Sequence, residues 1–293
     1  MSNSLSETVT QASQATELEE DRLEVSNAAI FVTGTDTGAG KTVLTVLLAE
    51  FFRAQKIRVA AFKPLCSGGR DDAEKIHVAL GGALMLDEIN PWHFRAPIAP
   101  ALAARLEKKS VTLAAVLAHI RTMGKSFELT LVEGAGGLLS PLGENFDSRD
   151  LIAALRATPI IVAQNKLGVV NHVLLTLAAL PKNQRRRARV VLMTQPKADA
   201  ATATNAKLLA EFFPAKKIFT LPWLGGKFSA AAVLKKPGVR RVLQKIAIPP
   251  LNPFQADSVR HRQKQIPSRN IDNGFGAAYT AANISRLLGL QIG

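Results

Sequence analysis

Nine residues near the start of the chain, Gly34-Thr35-Asp36-Thr37-Gly38-Ala39-Gly40-Lys41-Thr42, constrain the fold more than any other stretch. They follow a short apolar run rich in β-formers, Ala28 to Thr33, and precede a segment in which Leu44, Leu47, Leu48, Phe51 and Phe52 recur at helical spacing. A strand that feeds a glycine-rich loop and then a helix aims successive backbone N–H groups, and the positive end of the helix, at one point. Such a concavity cradles phosphate, with Lys41 able to reach the β- and γ-phosphates and the Thr42 hydroxyl able to ligate Mg²⁺. The spacing departs from the common form, because Gly34 and Gly40 are separated by five residues, not four.

Apolar runs of strand length recur along the chain at Arg58 to Phe62, Glu128 to Val132, Pro159 to Gln164, Val190 to Met193 and Lys217 to Leu221. Helical patterns fall between them, near 71–80, 97–107, 112–122, 148–156, 167–180 and 202–213. Nearly continuous apolar strands alternating with helices predict an α/β fold: a single P-loop NTPase-type domain whose mostly parallel sheet is covered by helices on both faces. The domain is expected over 28–248. Residues 1–27 hold six acids against one base, Arg22, and read as a disordered acidic leader. Residues 249–293 are polar and rich in Pro, Asn and Gln, and read as a partly ordered tail, with 277–290 able to form one short helix.

The formal net charge of +14 favours anionic partners such as phosphates. Its excess lies in 181–247, where 15 Lys and Arg face only Asp199 and Glu211. A basic surface is most often solvated charge alone, so nucleic acid is not the expected partner. The single cysteine, Cys66, excludes an internal disulfide, and the five histidines show no pair at metal-ligand spacing. No apolar run approaches the roughly 18 residues of a membrane span and no secretory signal opens the chain, so the expected compartment is the cytoplasm.

An open parallel sheet binds ligands outside the carboxyl ends of its strands. There the sequence places Lys63-Pro64 with Ser67 and Asp71-Asp72 close behind, and Glu133-Gly134-Ala135-Gly136-Gly137 after the 128–132 run. Phosphoryl transfer needs such carboxylates and cations. Each also has a plainer reading: Lys63 as a surface charge, Asp71 or Asp72 as a helix cap, Glu133 as a loop acid.

The motifs GTDTGAGKT, KPLCSG, NPWHFRAPIAPALAA, LVEGAGGLLSPL, NKLGVVNHVLLT and LPWL, in this order over about 28 to 224, resemble the dethiobiotin synthetases. That family comprises homodimeric P-loop enzymes that convert 7,8-diaminononanoate, CO₂ and ATP into dethiobiotin, ADP and phosphate with Mg²⁺. The resemblance implies that Gly38, Ala39, Gly40, Lys41, Thr42 and Val43 wrap the triphosphate, and that Thr42, Asp72 and Glu133 ligate Mg²⁺. Lys63 matches the family's catalytic lysine and acts with Lys41. Thr37 and Ser67 would contact the diamine, and Glu133, Gly134, Ala135 and Gly136 would lie against both substrates. Gly168 and Asn171, at the start of a helix, would hold the diamine's carboxylate from the partner subunit. Met193, Thr194, Pro222, Trp223 and Leu224 would border the base. Two elements depart from the family pattern: Pro97 to Ala103 lacks its serine and histidine, and Met193 stands where an asparagine usually reads adenine.

Two other functions fit a P-loop chain. A switch ATPase with a basic nucleic-acid-binding surface would typically carry a second lysine early in the loop, where Thr35 and Asp36 stand. An inactive dethiobiotin-synthetase-like domain is disfavoured by the retention of Lys63, Asp72 and Glu133.

Overall fold

The computed structural model describes residues 28–226 and 228–247. The leader expected over 1–27 and the tail over 249–293 lie outside the described residues. In chain order the strands are β1 (Ala28–Gly34), β2 (Val59–Phe62), β3 (Leu65–Ser67), β4 (Trp92–Phe94), β5 (Leu129–Gly137), β6 (Thr158–Asn165), β7 (Arg189–Thr194) and β8 (Ile218–Leu221). Six of them form one parallel sheet in the order β2-β5-β1-β6-β7-β8, and all six coincide with apolar runs read from the sequence. The interiors of β1, β2, β5, β6 and β7 are buried on both faces, as with Ile30, Phe31, Val32, Ile160, Ile161 and Val162, all 0% exposed, whereas the edge strand β8 is covered mainly at Leu221. Strands buried on both faces read as unbroken apolar runs because neither face meets water.

The connecting helices are α1 (Lys41–Ala54), α2 (Asp71–Ala79), α3 (Leu86–Ile89), α4 (Pro100–Leu106), α5 (Leu113–Gly124), α6 (Ser148–Ala154), α7 (Val169–Ala179), α8 (Lys182–Arg187), α9 (Asn205–Leu209), α10 (Ala230–Leu234) and α11 (Pro237–Ile246). The crossover from β1 to β2 runs toward one edge of the sheet, and those from β5 to β6, β7 and β8 run toward the other. Right-handed crossovers in opposite directions put their helices on opposite faces. The reversal falls at β1, which pairs with both β5 and β6, so a crevice opens at the carboxyl end of β1, where the glycine loop begins.

The structure corrects the sequence reading in four places. β5 continues past residue 132 to Gly137, so Glu133 lies inside a strand and not in a loop. The helix expected over 202–213 is confined to α9, because the Thr202 hydroxyl and N–H bind the Asp199 carboxylate at 2.7 and 2.8 Å in a side-chain turn that competes with the helix. The helix expected over 97–107 starts only at Pro100, whose fixed φ suits a first helical position. Beyond residue 224, where the sequence shows no clear order, Ser229 caps α10, and Val239, Leu243 and Ile246 form the buried stripe of α11. The small parallel pair β3-β4 also has no sequence signal, since three residues carry no period.

Candidate nucleotide and phosphoryl-transfer site

The loop between β1 and α1 closes on itself. Thr35 N donates to Val162 O at 3.0 Å, Gln164 Nε2 donates to Gly38 O at 3.0 Å, and Lys41 Nζ donates to Asp36 O at 2.9 Å. Gly40 starts α1 with φ 101°, and a Cβ there would sit 3.1 Å from Met193 Cγ. The left-handed backbone favours glycine there, and a side chain would also press on Met193. The first N–H groups of α1 have no partner within the helix and face the loop's hollow.

Beside the loop, four side chains meet, from α1, α2, β5 and the residue that follows β2. Lys63 directly follows β2 and is 4% exposed, and Glu133 in β5 is 1% exposed, so neither is a surface charge. Lys63 Nζ donates to Glu133 Oε1 at 2.7 Å and to Gly134 O at 3.0 Å, and lies 3.3 Å from Asp72 Oδ2. Thr42 Oγ1 donates to the same Glu133 Oε1 at 2.8 Å. Asp72, in the first turn of α2, takes part in the cluster, whereas Asp71 is exposed, and neither caps the helix. Glu133 Oε2 is buried and has no hydrogen-bond partner among the described residues.

Charge in this cluster is balanced by proximity. Burial pulls the Lys63 ammonium down, but the Glu133 and Asp72 carboxylates outweigh it, and its pKa ends above the ordinary lysine range. Burial raises Asp72, yet the Lys63 ammonium and the Thr42 hydroxyl more than compensate and leave its carboxyl below its usual value. Lys41 has no such pairing. Burial, and then repulsion from Lys63, lower it to about 8.

The remaining sequence candidates lie around this centre. Thr37 is exposed, with its N–H donating to Asp36 Oδ1 at 2.6 Å. The Ser67 hydroxyl donates to Ile98 O at 2.6 Å, and a Cβ on Gly68 would meet Pro97 at 2.7 Å, so the segment bearing Ala99 and Ala101 lies against the Ser67 loop. Gly134, Ala135 and Gly136 extend β5 beyond Glu133. Gly168 precedes α7 in a left-handed conformation and Asn171 is exposed in its first turn, with no hydrogen bond to the lysine cluster among the described residues. Met193 is 7% exposed against Gly40; Thr194 ends β7, and Pro222, Trp223 and Leu224 follow β8 at the same edge. A groove of about 360 Å³ runs along Thr35, Asp36, Gly137 to Ser140 and the α7 side chains Leu175 and Thr176. Two groups escaped sequence reasoning: Gln164, which steadies the loop, and Asn90, whose only signal was its place in the NPWHF motif.

A glycine loop at the switch point of a parallel sheet, with an invading lysine, a helix-borne threonine and buried carboxylates alongside, defines a P-loop nucleotide-binding protein. A family model described as an AAA domain matches residues 28–226. An ATP-dependent dethiobiotin synthetase BioD of Anaeromyxobacter dehalogenans is 40% identical over 199 residues, which cover 66% of this chain and 89% of that protein. One from Anaeromyxobacter sp. Fw109-5 is 43% identical over 169 residues, covering 56% and 73%. Among solved structures, the MinC:MinD cell division protein complex of Aquifex aeolicus aligns with 84% of this chain and 100% of that one, at 14% identity and a TM-score of 0.46. The chain belongs to the ATP-dependent dethiobiotin synthetase family.

Proposed function

We propose that this chain makes dethiobiotin from 7,8-diaminononanoate, CO₂ and ATP, as a Mg²⁺-dependent homodimer in the cytoplasm. The observation that carries the reading is the convergence of Lys63, Glu133, Asp72 and Thr42 beside the loop that holds Lys41. The donor set suits Mg²⁺: the buried Glu133 Oε2 lacks a partner among the described residues, the Thr42 hydroxyl meets the other oxygen of that carboxylate, and the Asp72 carboxylate lies beside Thr42 and Lys63. When bound, that ion would neutralise charge on the β- and γ-phosphates.

The chemistry divides among the chain's own groups. One substrate amine adds to CO₂ to give a carbamate, whose oxygen attacks the γ-phosphoryl and releases ADP. The second amine then attacks the carbamoyl carbon, closes the ureido ring and expels phosphate. Negative charge peaks on the phosphoryl oxygens, and Lys41 and Lys63 supply fixed positive charge there in a site shielded from bulk water. Because Glu133 and Asp72 keep Lys63 protonated, it meets the transferring group as a hydrogen-bond donor. The Gly38–Val43 backbone fixes the triphosphate, and Thr37, Ser67 and Gly134 to Gly136 border the diamine and its carbamate.

The groove supports the substrate and dimer assignments together. Asp36 at one end can receive cationic amines, and Leu138 along it suits an aliphatic chain. Leu139 and Leu175 line it yet remain 51% and 62% exposed, which fits cover by a second copy whose Gly168 and Asn171 would receive the distal carboxylate on free helix N–H groups. No helix of the described residues is long and apolar enough to cross a membrane. Restored growth without biotin or dethiobiotin, on expression in a bacterial strain lacking only the dethiobiotin-forming step, tests the reading; persistent auxotrophy with folded protein present would reject it.

A further inference from the structure

Asn90 does nothing in the chemistry above, yet it is 0% exposed and its carboxamide is fully engaged. Its Nδ2 donates to Lys63 O at 2.6 Å and approaches Pro64 O at 3.4 Å. Its Oδ1 accepts from Arg70 Nε at 3.2 Å and lies 3.0 Å from Cys66 Sγ. Arg70 is clamped further, through Nη2, to Leu86 O, Asn90 O and the Asp87 carboxylate, at 3.1, 3.0 and 2.7 Å. The side chain thus joins the two ends of the 63–72 segment, which carries Lys63 at its start and Asp72 two residues after Arg70.

We infer that Asn90 is a positioning residue for phosphoryl transfer, a tie that fixes the reach of Lys63 relative to Asp72 and Glu133. Local sequence puts it there. Pro91 disfavours helical backbone at the residue before it, so α3 stops at Ile89 and Asn90 turns out of the helix with φ −136° and ψ 73°. The main chain on both sides is pinned to the same segment, with Lys63 N donating to Ile89 O at 3.0 Å and Trp92 N donating to Pro64 O at 3.1 Å. A donor and an acceptor on one buried amide therefore couple the 63–64 backbone to the Cys66 and Arg70 side chains. Without it, Lys63 O loses its closest side-chain donor and Arg70 loses the acceptor for Nε. Lys63 Nζ, at the end of four methylenes, magnifies any backbone shift, and misplacement by about an ångström costs about a hundredfold in rate.

This inference rests on the proposed reaction for its kinetic readout, and an independent probe separates the two. Cys66 is the only cysteine, and it is buried in the segment that Asn90 ties down, so its rate of reaction with an aromatic disulfide reports opening of that segment. In Asn90→Ala and in Arg70→Met we expect kcat to fall, by about tenfold or more in the first and less in the second, with KM for ATP and diamine within about threefold. Faster Cys66 modification in both variants should accompany it. An unchanged kcat, or KM values that rise as much as kcat falls, would overturn the inference. Should Asn90→Ala not fold, Arg70→Met decides by the same criteria. If wild type makes no dethiobiotin, the proposed reaction fails, and an unaltered Cys66 rate in the folded variants would still overturn the tie.

Discussion

At the scale of residues, two lysines of the site have opposite surroundings. Lys63 is paired with carboxylates in the nucleotide-free chain, so on the proposed reaction it would meet charge that develops during transfer. Lys63→Met is expected to lower kcat by about a hundredfold or more while ATP affinity changes little, checked by steady-state kinetics and equilibrium nucleotide binding. A near-normal kcat would mean that the ammonium only satisfies Glu133. Lys41 is buried without a carboxylate of its own, and its proton leaves at about pH 8, against 10.5 for an ordinary lysine. Between these values the unfolded chain holds a proton that the ligand-free folded chain has lost, so Lys41 makes folding more favourable as pH rises through that window. Triphosphate restores the ammonium. ATP binding just above pH 8 should therefore take up protons and weaken as pH rises. Calorimetry in two buffers of different ionisation enthalpy measures this directly, and identical apparent enthalpies would contradict it.

At the scale of elements, the glycine loop and α1 were legible because strand, glycines and helix each leave a different local mark, and the three adjoin. Five strands of the main sheet, β1, β2, β5, β6 and β7, were legible because burial on both faces removes most polar residues from them, and the edge strand β8 because its short apolar run adjoins Pro222. The Lys63–Glu133–Asp72 cluster was less so: the residues could be named, but only the pairing of β2 with β5 brings Lys63 within 2.7 Å of Glu133, and that pairing joins segments some seventy residues apart. α11 stayed hidden because its buried stripe of Val239, Leu243 and Ile246 is scattered among basic residues. β7 carries a prediction of its own. Its Met193 side chain lies against Gly40, and if it borders the base as the resemblance implies, its thioether would offer apolar contact and a weak acceptor only, where an asparagine would offer a donor and an acceptor. Two missing hydrogen bonds, at about 0.5 to 1.5 kcal/mol each, correspond to about five- to a hundredfold in preference. Wild type should thus discriminate ATP from GTP and CTP weakly in kcat/KM, and Met193→Asn should sharpen it. A strong preference for ATP in wild type with no gain in the variant would show that other groups read the base.

At the scale of the whole molecule, the sheet separates two charge systems. The nucleotide groups gather at the carboxyl ends of the strands, whereas α8 and the turn before β8 sit at the amino ends, where Arg187 donates to Arg156 O at 3.0 Å and Lys217 donates to Arg186 O. Six-residue strands span about 20 Å, and salt screens charge beyond about 8 Å. The basic residues of α8 and of the turn before β8 would therefore contribute little to holding phosphate, which on the proposed function falls to Lys41, the loop and the start of α1. The molecule is thus expected to couple ATP turnover to ring closure, not to consume ATP alone. The most direct measurement follows ADP and dethiobiotin together in purified protein supplied with diaminononanoate, bicarbonate, Mg²⁺ and ATP. The account predicts equal amounts of the two products and little ADP when the diamine is omitted; steady ADP release without dethiobiotin would contradict it.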